Sequence, residues 1–229
     1  MLAGIIFDLD GVIADTHTIH RHAWRQLLVE MGRQISEEEL DFVLEGRKRE
    51  EILRHFLGSL STAEVSRYGE RKDELFRQSA EQLQSVPGVV DFLRQLDDAG
   101  VSRAVATSAS KRRTYQLLER LGLADRFGTV VTGDDVAKGK PDPSIFYLAA
   151  GCLRVTPQES LVVEDSGVGV RAAKSAGMKC LGIARGMLAG RLRREGADHV
   201  VPNFTGILLA KLQNLFHSPQ AANITGEHT

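Results

Sequence analysis

Short, nearly uninterrupted apolar runs recur along the chain, separated by polar stretches with helical patterning. The clear runs are Gly4 to Phe7, Arg103 to Ala106, Ser160 to Val163 and Cys180 to Ala184; Gly128 to Val131 is weaker, and His199 to Val201 reads as an edge strand. Strands that alternate with helices and are apolar throughout belong to a parallel sheet covered on both faces, because in–out alternation is needed only where one face meets water. The pattern predicts an α/β fold built on a Rossmann-like parallel sheet.

One interval breaks the rhythm. Between the first strand and Pro87 there is no strand signal, but helical stripes repeat: Ile19, Ala23, Leu27 and Met31; then Ile52, Phe56 and Leu60; then Leu75 and Leu83. This predicts an inserted α-helical cap over residues 15–85, a core made of 1–14 and 86–217, and a flexible polar tail over 218–229. Asp15-Thr16 is placed to cap the first helix, and Val86-Pro87-Gly88 marks the return to the core. Ligands of open α/β sheets bind beyond the carboxyl ends of the strands. The insertion leaves from that edge, so it is expected to act as a lid.

Composition narrows the class. A chain of 229 residues suits one core with a smaller insert. With 29 Lys and Arg against 30 Asp and Glu, the net charge of -1 gives no field toward nucleic acid or membrane, and neither partner is expected. Cys152 and Cys180 form no disulfide or zinc pattern, and no leader or membrane-length run is visible, so a cytoplasmic protein is expected. Lys111-Arg112-Arg113 and Arg191 to Arg194 read as solvated helix faces. Of His17, His20 and His22, only His20 is taken forward as a site residue.

The chemistry gathers at strand ends. Asp8 and Asp10 follow the first strand with the spacing that aims two carboxylates the same way. Glu164-Asp165 ends another strand, and oxygen ligands converging from two strand ends suit Mg²⁺; Asp8, Asp10, Glu164 and Asp165 are the candidate ligands. Thr107-Ser108-Ala109-Ser110-Lys111 opens a helix with hydroxyls and N–H groups suited to an anion. Lys140 precedes Pro141 and a helix start.

These features, in this order, closely resemble the haloacid dehalogenase superfamily: Asp8-Leu9-Asp10-Gly11-Val12 is similar to its first motif, Ser108 to its second, Lys140 to its third and Glu164-Asp165 to its fourth. Within it the chain is most similar to the β-phosphoglucomutase group and its sugar-phosphate phosphatase relatives. The resemblance implies a Mg²⁺-dependent phosphoryl-transfer enzyme in which Asp8 becomes an aspartyl phosphate, Asp10 handles the proton with a raised pKa, and Ser108 and Lys140 bind the phosphoryl group. It further implies Thr16, His20, Gly46, Arg49, Ala109 and Ser110 as substrate-binding positions. A dehalogenase is disfavoured by Asp10, and so is a Schiff-base phosphonate hydrolase. Where the mutases usually carry a lysine before the cap glycine, this chain has Glu45, whose charge is expected to repel a dianionic ligand. The expectation is thus a phosphatase acting on a small phosphorylated metabolite, with β-phosphoglucomutase activity as the alternative and a non-catalytic regulatory protein as the rival of another class. A monomer or weak homodimer is expected.

Overall fold

In a computed structural model, which describes residues 1–80 and 83–216, β1 (Gly4–Phe7), β2 (Ser102–Ala106), β3 (Thr129–Val131), β4 (Ser160–Glu164), β5 (Lys179–Ile183) and β6 (His199–Val201) form one parallel sheet. Their spatial order is β3-β2-β1-β4-β5-β6. All six predicted strands are present, with ends shifted by a residue in several. The chain order reverses on either side of β1, so its carboxyl end is the switch point at which such sheets bind ligands.

β1 shows why the strand is apolar throughout. Ile5 and Phe7 turn to one face, where Phe7 meets Phe92, Phe127 and Phe204, and Ile6 turns to the other, with Ala104, Phe146 and Val162. Helices α4 (Val89–Asp98), α5 (Lys111–Arg120), α6 (Ser144–Leu153), α7 (Gly167–Ser175), α8 (Gly186–Arg194) and α9 (Leu209–Gln213) follow in the core.

Between β1 and α4 the chain forms α1 (His17–Glu30), α2 (Arg49–Leu57) and α3 (Thr62–Ser79), with no strand among the described residues there. Ala23, Leu27, Ile52 and Phe56 of the predicted stripes are buried, whereas Leu60 lies beyond α2 and Leu83 beyond α3. Thr16 occupies the position before α1 but makes no side-chain cap bond. The tail expected over 218–229 lies outside the described residues. Among those described, no helix is long and apolar enough to cross a membrane.

Candidate active site

Asp8 continues the line of β1, its N–H donating to Val163 O at 2.9 Å, and this carries its carboxylate to the sheet edge. Lys140 Nζ, fully buried, donates to Asp8 Oδ1 at 2.6 Å, to Glu164 Oε1 at 2.5 Å and to Ala106 O at 3.2 Å. Glu164 Oε2 accepts from the N–H groups of Asp165 and Ser166 and from the Ser166 hydroxyl, at 2.9–3.1 Å. Gly169 makes room for it, since a Cβ there would stand 2.0 Å from the Glu164 carboxyl. Glu164 therefore spends its acceptors on Lys140 and the start of α7. In this arrangement its carboxylate positions the lysine.

Burial alone would lower the Lys140 pKa, but Asp8 and Glu164 push it above its ordinary value. For Asp8, burial is the largest influence and raises the pKa well above the carboxylate range; Lys140 opposes this, while Glu164, Asp165 and Asp10 add to it. One lysine thus leaves the group of carboxylates short of positive charge.

Asp165 meets a cation that the sequence reading passed over. His17 Nε2 stands 2.5 Å from Asp165 Oδ2. Burial disfavours the imidazolium, but the hydrogen bond and charge of Asp165 outweigh it and raise His17 to about 9, so His17 is protonated at neutral pH. Burial raises Asp165 even against His17. Among the described residues no three His, Cys, Asp or Glu side chains converge into a ready cage for a metal ion. Asp8 and Asp165, charge-deficient and offering hard oxygens, still fit Mg²⁺, which takes one or two carboxylates and fills its sphere with water and phosphate oxygens.

Asp10 lies elsewhere. Its Oδ1 accepts from the Thr16 hydroxyl at 2.8 Å, His20 Nε2 at 3.0 Å and Arg113 Nη1 at 3.0 Å, and its Oδ2 accepts from Arg113 Nη2 at 2.5 Å. Burial would raise its pKa, but Arg113 first and His20 second hold it well below the carboxylate range. The expected raised pKa is reversed, because a guanidinium that stands 103 residues away in sequence forks onto the carboxylate.

Lys72 Nζ lies 3.0 Å from His20 Nδ1. A charged Lys72 donates to Nδ1 and leaves Nε2 to carry the proton directed at Asp10, with Arg113 Nη1 standing 3.2 Å from the same Nε2. Burial, then Lys72, lowers His20 to about 3, and burial, then Arg113, lowers Lys72 to about 7. Arg113 was expected on a solvated face, yet it is 9% exposed. Both missed cations sit on apolar stripes: Arg113 four residues before buried Leu117, Lys72 four before buried Phe76.

Gly46, with φ of 75°, brings the insertion onto the core: Ser108 Oγ donates to Gly46 O at 2.7 Å, and a Cβ on Gly46 would stand 2.5 Å from Ser166 Oγ. Lys48 Nζ donates to Val136 O at 2.5 Å across the same seam. Arg49 pairs with buried Asp73 at 2.7 Å. Ala109 N–H donates to Thr107 Oγ1 at 3.2 Å; Ser110 precedes α5 without a side-chain cap bond, and Asp134 accepts from Lys111 N–H instead, at 2.8 Å. One cleft is lined by Asp8, Asp10, His20, Gly46, Arg49, Ser108, Ala109, Ser110 and Asp165, together with His17, Lys72, Asp73 and Arg113. Thr16, Lys140 and Glu164 stand behind its wall. Glu45 turns out of it to Arg191, at 2.9 Å, and Arg47, at 3.1 Å, which removes the repulsion expected of it.

Residues 5–183 match the family model described as haloacid dehalogenase-like hydrolase. The chain is 33% identical over 225 residues to a β-phosphoglucomutase of Bacillus subtilis, covering 92% of this chain and 94% of that one. It is 34% identical over 190 residues to a phosphorylated carbohydrates phosphatase of Thermotoga maritima, covering 78% and 83%. Its fold matches the crystal structure of a β-phosphoglucomutase from Clostridium difficile with a TM-score of 0.85 at 27% identity, over 94% of this chain and 97% of that one.

Proposed function

The chain belongs to the haloacid dehalogenase-like hydrolases, and on that premise we propose that it hydrolyses a small phosphomonoester, a sugar phosphate, through a phosphoenzyme formed on Asp8. The observation that carries the reading is Asp8 at the carboxyl end of the central strand, 2.6 Å from the buried Lys140 ammonium and lining a cleft beneath the helical insertion.

An Asp8 oxygen attacks phosphorus in line, the P–O bond to the sugar breaks, and the leaving alkoxide takes a proton from Asp10. Water then attacks the acyl phosphate, returns a proton to Asp10 and frees phosphate and Asp8. Asp10 enters this cycle only after Arg113 loosens its hold, since the carboxylate is otherwise kept ionised. Lys140 remains at Asp8 as negative charge shifts between phosphoryl oxygens and carboxylate. Mg²⁺ held by Asp8 and Asp165 would offset charge on the transferred group. Residues 15–85 serve as the lid, seated through Ser108 on Gly46 and Lys48 on Val136.

β-Phosphoglucomutase activity is the second reading: His20 and Arg49, which match mutase positions, line the cleft, while Glu45, standing where mutases usually carry a lysine, pairs with Arg191 and Arg47 instead of lining it. Phosphate release and glucose 6-phosphate formation, followed together from β-glucose 1-phosphate with a sugar bisphosphate primer, separate the readings. Phosphate release at least as fast as isomerisation is expected; isomerisation many times faster makes the enzyme a mutase. EDTA is expected to abolish both.

A further inference from the structure

Four donor atoms from three side chains hold the Asp10 carboxylate. Oδ1 receives three donors and Oδ2 faces the second arm of the Arg113 fork, so the carboxylate cannot reach a leaving group without exchanging partners. Thr16 and His20 both approach Oδ1 alone, whereas Arg113 spans the two oxygens. Arg113 is the partner that must yield.

Withdrawing the buried Arg113 guanidinium from the partly buried Asp10 carboxylate leaves both charges without their partner, unless another anion accepts the fork. Arg113 borders the cleft in which such an anion would arrive. Arg49, Lys72, Asp10 and Asp73 line the same cleft. Asp73 is already paired with Arg49, and Lys72 faces an uncharged imidazole rather than an acid. The Arg113 guanidinium lies over the Phe76 ring, 5.1 Å from its centroid. Planar, two-armed donors suit carboxylates and phosphates.

We propose that Arg113 is a specificity-determining residue: it restrains Asp10 until a substrate bearing a second anionic group, a carboxylate or a further phosphate, takes over its guanidinium fork. The inference rests on the phosphatase reading, because it concerns which phosphate esters gain the proton exchange that Asp10 provides. Substrate selection is thereby coupled to chemistry. An ester with an uncharged tail binds beside a carboxylate that is still restrained, and its alkoxide leaves without help.

The test compares three six-carbon esters that differ at one end: sorbitol 6-phosphate, 6-phosphogluconate and sorbitol 1,6-bisphosphate. Wild-type protein, Arg113→Met and Arg113→Lys are assayed for phosphate release with Mg²⁺ present, with p-nitrophenyl phosphate as a substrate whose leaving group needs no proton. Wild type is expected to favour one or both charged-tail esters in kcat/KM by about tenfold or more. Which of the two is favoured identifies the anion. In Arg113→Met the preference collapses in two separate ways: KM rises for the charged-tail ester, and kcat rises for sorbitol 6-phosphate. Arg113→Lys keeps the charge and loses the fork, so it retains part of the KM advantage while kcat for sorbitol 6-phosphate still rises; it carries the test alone if the methionine variant does not fold. A wild type indifferent to the tail overturns the inference, and so does a common loss on every ester in Arg113→Lys. Failure of wild type to release phosphate from any of the four compounds would instead defeat the phosphatase reading, and the inference with it.

Discussion

Two buried lysines stand at the site, Lys72 in the cleft lining and Lys140 behind it, and their surroundings shift them in opposite directions. Lys140, at the strand ends, lies between Asp8 and Glu164 and is held firmly charged. Lys72, on α3, lies against the neutral His20 ring and over Trp24 and Phe76, with Arg113 nearby, and falls to about 7. Burial is the largest influence on each, so what separates them is the sign of the neighbours. The floor of the site gathers carboxylates around one lysine and maintains one geometry; the helical side sets Lys72 beside Arg113, whose charge an anionic ligand can use.

The floor is where substitution should cost most. Asp8→Asn is expected to lower phosphate release by at least about 10⁴-fold, measured in steady state, because the amide cannot attack phosphorus. Retention of more than a few per cent of activity would place the nucleophile elsewhere. Lys140→Met should cost about 10²–10³-fold in kcat and, by leaving Asp8 and Glu164 without their shared cation, about 3–5 kcal/mol of stability in urea unfolding. A Glu164→Gln change made on top of Lys140→Met should recover part of that stability, and a further loss would contradict the pairing.

Lys72→Met tests the other side, with a smaller effect whose sign depends on pH. The native pKa of about 7 lies below the ordinary 10.5, so between those values the unfolded chain binds more protons than the native one and stability rises with pH. Below about 7 the native state bears the full cost of burying the charge. Lys72→Met should therefore gain most over wild type near pH 6, and the gain should shrink toward pH 10. A difference in Tm that is constant across this range would show that Lys72 is not buried as a cation.

This contrast also explains what the sequence disclosed. Asp8, Ser108 and Glu164-Asp165 were read from strand ends, which fix where a side chain begins and which the sheet brings together, and Lys140 from the proline and helix start that follow it. Arg113 and Lys72 were not legible as site residues, since a cation on an apolar stripe reads as solvated until its partner from another element is known. The single available signal was position, four residues before Leu117 and Phe76. His17 was passed over because its partner, Asp165, is 148 residues away. Glu45 was singled out in the sequence, but its direction depends on Arg191 in α8, which no local spacing reveals. The pKa of Asp10 was inverted for the same reason.

The smallest effect belongs to that seam. A double-mutant cycle on Glu45→Gln and Arg191→Gln should give a coupling of at most about 1 kcal/mol, since both side chains retain contact with solvent. A coupling several times larger would make the pair a principal clamp between insertion and core.

The central claim is that phosphate passes through Asp8. Wild-type protein mixed with a radiolabelled sugar phosphate and Mg²⁺, quenched in acid within one turnover and digested, should yield a labelled peptide spanning Asp8 whose label is released by mild base or hydroxylamine, as an acyl phosphate requires. Label on any other residue, or turnover with no protein-bound label at any quench time, would contradict the account.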